Sequence, residues 1–196
     1  VTVAAATDGL PFYKTTGDHG GTKDTGYRTD SNASNLVFAM PGDVLTDEHD
    51  HVNTGSSAHT LTVNNNVTTS TTKSKFYGTS LYFPSDSTLH NLTTAAHTDF
   101  DFPAGTDFTL EFWAYFTTPT NTDCTPLAKQ ASTNRPNFSF YQYQNSLGFY
   151  SSTNGSSYNN INFNISTNIV LNRWYHVAVT RSGTTYNGYL DGVLTA

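Results

Sequence analysis

The run from residue 47 to residue 51 is the densest group of side chains that could bind a metal ion. It reads Asp47-Glu48-His49-Asp50-His51 and offers carboxylate oxygens and imidazole nitrogens side by side. Adjacent residues of an extended loop cannot all converge on one ion, and the glycine-containing D-x-D-x-D-G pattern of a calcium loop is absent from the run. A solvated loop is therefore the expectation, with Asp47, His49 and His51 as the candidate ligands if a metal is bound.

A second group of side chains could bind sugars. Aromatic rings stack on sugar faces, and amide side chains both donate to and accept from sugar hydroxyls. The stretch 138–158 supplies both, and its candidates are Tyr141, Tyr143, Tyr150, Tyr158 and Asn145, with Gln142 and Gln144 beside them. The same alternation of Phe and Tyr is also typical of a sandwich core with tyrosine hydroxyls at its edge, so both interpretations stay open.

Motifs for nucleophilic catalysis and phosphate binding are absent from the sequence. It has no G-x-S-x-G elbow and no glycine-rich phosphate loop, and the single Cys124 excludes an internal disulfide or a multi-cysteine zinc site. The net charge is −6, and the nine Lys and Arg residues do not cluster. No run approaches the roughly 20 apolar residues of a membrane span. We therefore expect neither nucleic acid nor a membrane as a partner.

The composition predicts that strands position these side chains. The 196 residues include 34 Thr, 19 Asn and 18 Ser, whose short polar side chains compete with the hydrogen bonds of a helical backbone. Aromatic residues make up 14% of the chain, more than a disordered sequence carries. We expect a folded, all-β protein.

Short apolar or alternating runs with turn residues between them mark the strands. The predicted strands are 36–40, 59–63, 80–83, 108–116, 138–143, 147–150, 161–165, 174–180 and 186–190. The run 36–40 is continuously apolar, which favours a strand buried on both faces, and Asp191-Gly192 is typical of a two-residue hairpin turn. In 161–165 the residues Asn162 and Asn164 alternate with apolar residues, so we expect one wet face there.

The longest predicted strands favour two stacked sheets. Phe108 to Phe116 carries apolar residues on its even positions, yet Trp113 lies on its odd face. In the strand from Trp174, alternation places Val177 on an inner face and Trp174 on the other. We expect both tryptophans to be core or inter-sheet residues.

Residues 1–34 differ from the rest of the chain. Turn signals such as Asp24-Thr25-Gly26 separate isolated apolar residues there, so the segment cannot close a core alone. We expect an extended N-terminal arm or connector that becomes ordered on a neighbour, although it could also wrap its own domain.

Three sequence blocks carry a family resemblance. They are FYGTSLYF at 76–83, DFTLEFW at 107–113, and WYHVAVTR at 174–181 followed by YLDG at 189–192. Their order and spacing resemble the laminin-G-like, concanavalin-A-like jelly roll over about residues 35–196. The resemblance implies an antiparallel two-sheet β-sandwich after the arm. It also implies that the domain lacks its C-terminal closing strands, because family members continue past the "LDG" hairpin.

Further expectations follow from this resemblance. Laminin-G-like domains often hold calcium at one sheet rim, and Asp86, Asp99 and Asp101 are the candidate ligands here. Glucanases that share the architecture place two Glu and an Asp close together on one strand, and glycoside hydrolysis needs two carboxyl groups about 5 to 9 Å apart. In this chain Glu48 lies in a polar loop and Glu111 stands alone on its strand. We therefore expect no enzymatic activity.

The segments SKFYGTSLYF (74–83) and RTDSNASNLVFAMPGD (28–43) further resemble structural proteins of marine, cyanophage-like tailed phages. This resemblance implies a virion protein of a tail fibre, appendage or capsid surface, used for attachment or decoration. Its partners would be other virion proteins, copies of itself and host-surface glycans. The alternatives are a carbohydrate-binding or adhesion module of a secreted bacterial protein and, third, a glucanase-like enzyme.

Overall fold

The fold was examined in a computed structural model, which describes residues 32–86, 88–103, 105–117, 124–129, 137–153, 157 and 159–196. Regular structure in these residues consists of strands and three one-turn 3-10 helices, with no α-helix. The described residues also include no helix with the length and apolar character needed to cross a membrane. The predicted all-β class is confirmed.

The strands are short, as expected for a chain rich in Thr, Asn and turn residues. In chain order they are β1 (Leu61–Asn64), β2 (Thr68–Ser70), β3 (Ser80–Tyr82), β4 (Asn91–Thr94), β5 (Phe108–Tyr115), β6 (Ala128–Lys129), β7 (Phe138–Tyr143), β8 (Ser146–Ser151), β9 (Ile161–Ser166), β10 (Trp174–Ser182), β11 (Thr185–Leu190) and β12 (Val193–Leu194). The 3-10 helices span Ala33–Asn35, His49–His51 and Thr98–Phe100.

The chain divides into two compact units between Phe100 and Asp101. The first unit contains two antiparallel strand pairs, β1 with β4 and β2 with β3. Leu61 at the start of β1 lies opposite Thr94 at the end of β4. The chain entering β1 and the chain leaving β4 therefore lie at the same end of this pair.

The second unit is an antiparallel β-sandwich. One sheet has the order β12-β11-β10-β5 and the other the order β6-β7-β8-β9. Apolar residues from both sheets form one core, and its fully buried members include Phe140, Leu147, Phe149, Val177 and Val179. The predicted two-sheet sandwich is confirmed, as is the position of Val177 on the inner face.

Glycine brings the two sheets close together at one point of the core. Gly188 in β11 lies opposite Val179 of β10. A Cβ atom built on Gly188 would lie 2.7 Å from Cε2 of Phe163 and 3.1 Å from Cγ1 of Ile165, both on β9 of the facing sheet. This position therefore accommodates no side chain unless the facing residues move.

The turn and wet-face predictions are also confirmed. Asp191 and Gly192 have φ values of 51° and 80° and connect β11 to β12 as a two-residue turn with positive φ at both positions. Asn162 and Asn164 of β9 are exposed, while the apolar residues between and beside them are at least partly buried.

The predicted strand at 36–40 is wrong, because this segment has no strand partner. Side chains satisfy its backbone instead. The Ala39 N–H donates to Oδ1 of Asp47 at 3.0 Å, and the Asn53 side-chain amide donates to the carbonyls of Ser34 and Leu36. The apolar run indicated partial burial correctly, but burial alone does not distinguish a strand from a side-chain-anchored loop.

The predicted N-terminal arm, residues 1–34, lies outside the described residues except for 32–34. Asn32 is exposed, and Ala33 and Ser34 belong to the first 3-10 helix. The arm remains a prediction.

Candidate functional site

The outer face of the β5-β10-β11-β12 sheet is rich in aromatic residues. Strand alternation places every second residue of β5 and β10 there, and antiparallel pairing puts residues of the two strands directly opposite each other. The aromatic, histidine and glutamate residues on this face are Glu111, Trp113, Tyr115, Trp174, His176 and Tyr189. We call this set the aromatic platform.

Two ring pairs form the centre of the aromatic platform. Trp113 lies opposite His176 with ring centroids 5.1 Å apart, and Tyr115 lies opposite Trp174 with centroids 5.5 Å apart. Trp113 is 39% exposed and Trp174 is partly exposed. The prediction that both tryptophans are core residues is wrong, because their strand positions share the face opposite to the buried valines.

A polar group borders the rings. The Nε2 atom of His176 lies 3.2 Å from Oε2 of Glu111, and the side chain of Glu111 is 61% exposed. The backbone N–H of His176 donates to the carboxylate of Asp191 at 2.9 Å, and the guanidinium of Arg173 also donates to that carboxylate. The platform thus combines flat apolar rings with carboxylate and imidazole groups that can hydrogen-bond to hydroxyls.

The outer face of the other sheet contains the sugar-binding residues predicted from sequence. Tyr141 and Tyr150 lie on this face with ring centroids 5.8 Å apart, and the Tyr141 hydroxyl donates to the side-chain oxygen of Asn164 at 2.9 Å. The Tyr141 ring lies over Gly148, where a Cβ atom would overlap it. Both rings are only partly exposed.

Of the other predicted sugar-binding residues, Tyr143 lies two residues beyond Tyr141 on the same face of the sheet. Tyr143 is 41% exposed and ends β7, and Asn145 lies in the turn before β8, where its carbonyl accepts the N–H of Ile169 at 2.8 Å. Gln142 is buried. Tyr158 lies outside the described residues.

The predicted solvated loop at 47–51 is wrong. Asp47, Glu48 and His49 are 3%, 8% and 0% exposed, respectively. The structure brings Asp47 and His49 together with His59, whereas His51 does not join this group. His59 lies ten residues beyond His49 along the chain, so its place in this group could not be predicted from local sequence spacing.

The three aspartates suggested as calcium ligands lie in different environments. Asp86 contacts His90, Asp101 pairs with Lys129, and Asp99 lies near the rings of two further histidines. The hydrogen bond from His90 Nε2, 2.8 Å from Oδ1 of Asp86, lowers the pKa of Asp86 below its ordinary value. The calcium expectation stays a prediction.

Comparison with known proteins gave one informative match. A laminin G family model, described as the concanavalin A-like lectin/glucanases superfamily, matches residues 86–196, more than half of the chain. Searches of the curated proteins and of the solved structures found no match.

Proposed function

Because the chain belongs to the concanavalin A-like lectin/glucanases superfamily, we propose that it is a non-catalytic carbohydrate-binding and adhesion protein. The observation that supports this proposal best is the aromatic platform. An exposed tryptophan on an open sheet face offers sugars a flat apolar surface, and Glu111 and His176 offer hydrogen-bonding groups at its border.

The arrangement of the platform fits an extended glycan. The ring pairs Trp113–His176 and Tyr115–Trp174 lie two residues apart along adjacent strands, which separates them by about 7 Å. Successive rings at such spacing can each stack on a sugar unit of one chain, and hydroxyl groups at the edge of the sugar can reach Glu111. Polysaccharides are therefore the proposed ligand class.

The proposed non-catalytic role rests on the surroundings of Glu111. Its side-chain partner across the strands is the imidazole of His176, whereas glycoside hydrolysis needs a second carboxyl group across the scissile bond. Polysaccharide hydrolysis that disappears in Glu111→Gln would contradict this part of the proposal.

A binding experiment tests the platform. The protein is screened on a polysaccharide array, and the affinity for the best ligand is measured by isothermal titration calorimetry. Trp113→Ala should weaken binding at least about tenfold, which corresponds to about 1.4 kcal/mol of lost stacking and burial. Tyr143→Ala is the matched control, since Tyr143 is equally exposed but belongs to the other sheet.

The outcomes separate the two sheet faces. Loss of binding in Tyr143→Ala and Tyr141→Ala, with Trp113→Ala unaffected, would move the site to the face predicted from sequence. Failure of the folded protein to bind any polysaccharide would refute the carbohydrate-binding function itself.

We further propose that this adhesion domain is displayed on the particle of a tailed phage, as a tail-fibre, appendage or capsid-surface component that assembles with other virion proteins and with copies of itself. This part of the proposal rests on the resemblance of segments 28–43 and 74–83 to phage structural proteins that the sequence analysis describes. Mass spectrometry of purified particles tests it. Detection of the protein only in a secreted bacterial fraction would favour the alternative, a secreted adhesion module.

A further inference from the structure

Three histidines and two aspartates of the first unit lie close together. They form two overlapping groups of potential metal ligands that share His59, and the members are Asp47, His49, His59, His97 and Asp99. We call this set the histidine cluster. His59 lies just before β1, and His97 and Asp99 follow β4, so the antiparallel pairing of β1 with β4 brings these segments together.

Asp47 orients two members of the histidine cluster. Its Oδ1 accepts the backbone N–H groups of Ala39 and His49 at 3.0 and 3.1 Å. Its Oδ2 lies 2.8 Å from Nδ1 of His49 and accepts the backbone N–H of His59 at 2.9 Å. With four such contacts the carboxylate has little capacity left to ligate a metal ion. Asp47 therefore acts as a positioning residue.

In the described part of the chain, this arrangement leaves a buried nitrogen of His49 without a hydrogen-bond partner. An ionised carboxylate of Asp47 can only accept a hydrogen bond, so Nδ1–H of His49 donates to it and the neutral ring carries its free lone pair on Nε2. His49 is 0% exposed, and its Nε2 has no hydrogen-bond partner among the residues that the structure describes. Buried polar atoms without hydrogen-bond partners are rare in folded proteins. In metal sites, a histidine that ligates the metal through one ring nitrogen typically donates a hydrogen bond from the other to a carboxylate.

The second of the two overlapping groups, formed by His59, His97 and Asp99, has the spacing of metal ligands. Oδ2 of Asp99 lies 3.3 Å from Nε2 of His59, and Oδ1 of Asp99 lies 3.1 Å from Nδ1 of His97. Ligand atoms bound to zinc at about 2.0 to 2.1 Å in a tetrahedral site are about 3.3 Å apart. The Nε2 atom of His59 is also buried and makes no well-formed hydrogen bond to any described residue.

We propose that the histidine cluster binds a divalent late transition metal ion of the zinc class. His49, His59, His97 and Asp99 supply the ligands, and Asp47 holds His49 in the binding tautomer. Imidazole-rich sets with one carboxylate favour zinc, nickel, cobalt or copper, whereas calcium requires six to eight oxygen ligands. This site is independent of the proposed sugar-binding function.

The burial gradient of the cluster provides a route for the ion. His49 is fully buried, while the side chains of His97 and Asp99 are 51% and 33% exposed. The ion can enter from the exposed ligands and bind against the buried ones. It would then cross-link three segments of the folded first unit, and because it binds the folded state it would raise the unfolding temperature.

The test uses the full, tag-free chain after treatment with a chelator. Zinc chloride is titrated by calorimetry, and cobalt chloride is added as a spectroscopic probe because tetrahedral cobalt gives intense visible bands. We expect one zinc ion per chain, a raised melting temperature and tetrahedral cobalt bands. His59→Gln and Asp99→Asn should each weaken zinc binding at least tenfold.

His51→Gln is the matched control, because His51 lies in the same 3-10 helix as His49 but outside the cluster. It should leave the affinity unchanged. Asp99→Asn keeps the test decisive if His59→Gln does not fold, since Asp99 is partly exposed. Absence of zinc binding, equal affinity for calcium, or unchanged zinc affinity in Asp99→Asn would overturn the proposal.

Discussion

The close approach of the two sheets at Gly188 predicts a specific and costly overpacking. In Gly188→Ala the new methyl group would lie 2.7 Å from Cε2 of Phe163, whereas carbon atoms in contact normally lie about 3.5 to 4.0 Å apart. The ring or the sheet must therefore move by roughly 1 Å. Gly188 is buried and has no positive φ, so backbone strain does not contribute.

The magnitude follows from two opposing effects. Overpacking a well-packed core lowers the free energy of unfolding by about 1 to 3 kcal/mol. Replacing glycine also reduces the conformational entropy of the unfolded chain, which offsets about 0.5 kcal/mol of that loss. A net destabilisation of about 1.5 kcal/mol should lower the melting temperature of this unit by roughly 10 °C. Urea unfolding followed by tryptophan fluorescence measures it, because Trp113 and Trp174 both belong to this sheet.

A double-mutant cycle tests the stated cause. Phe163→Leu removes the ring atom that the new methyl group meets, so Gly188→Ala should cost less than half as much in the Phe163→Leu background. Equal costs in both backgrounds would refute the inter-sheet contact as the source of the destabilisation.

Two further predictions concern the core and a surface ion pair. Phe149 is 0% exposed and packs against Phe140 with ring centroids 5.0 Å apart. Phe149→Ala should therefore lower the free energy of unfolding by about 3 to 5 kcal/mol in urea titrations, and a loss below 1 kcal/mol would contradict this packing. Asp86 should titrate below its ordinary pKa in an NMR titration, because His90 donates to it, and His90→Ala should raise that pKa. The folded-state pKa of Asp86 is lowered, so its stabilising effect is complete above the ordinary pKa and is lost as the pH falls through the folded-state value. An unchanged titration midpoint in His90→Ala would exclude the hydrogen bond as the cause.

Local patterns were sufficient for much of the second unit. Period-two alternation identified β7, β9 and β10 to within two residues, because alternate residues of a strand must point to opposite faces. The turn at Asp191-Gly192 was predictable because few residue pairs tolerate positive φ at both turn positions. Strands β2, β4 and β6 were missed, since their short polar sequences resemble loops.

The position of the tryptophans shows a limit of the same reasoning. Alternation correctly separated Trp174 from Val177, but it does not say whether the second face is covered. Because large aromatic residues are usually buried, burial was the natural expectation for Trp113 as well. The aromatic platform could therefore be located only once strand pairing had placed both tryptophans on an outer face.

The sequence by itself determined the all-β class, which residues of the long strands share a face, and the turn at Asp191-Gly192, because these depend on the conformational preferences of neighbouring residues. Tertiary structure alone decided the two candidate sites. The histidine cluster joins residues from His49 to Asp99, and the aromatic platform joins β5 to β10 across about 60 residues of chain. Such groups depend on which segments pair and which sheet faces pack together, and these choices minimise the free energy of the whole fold rather than of any local segment.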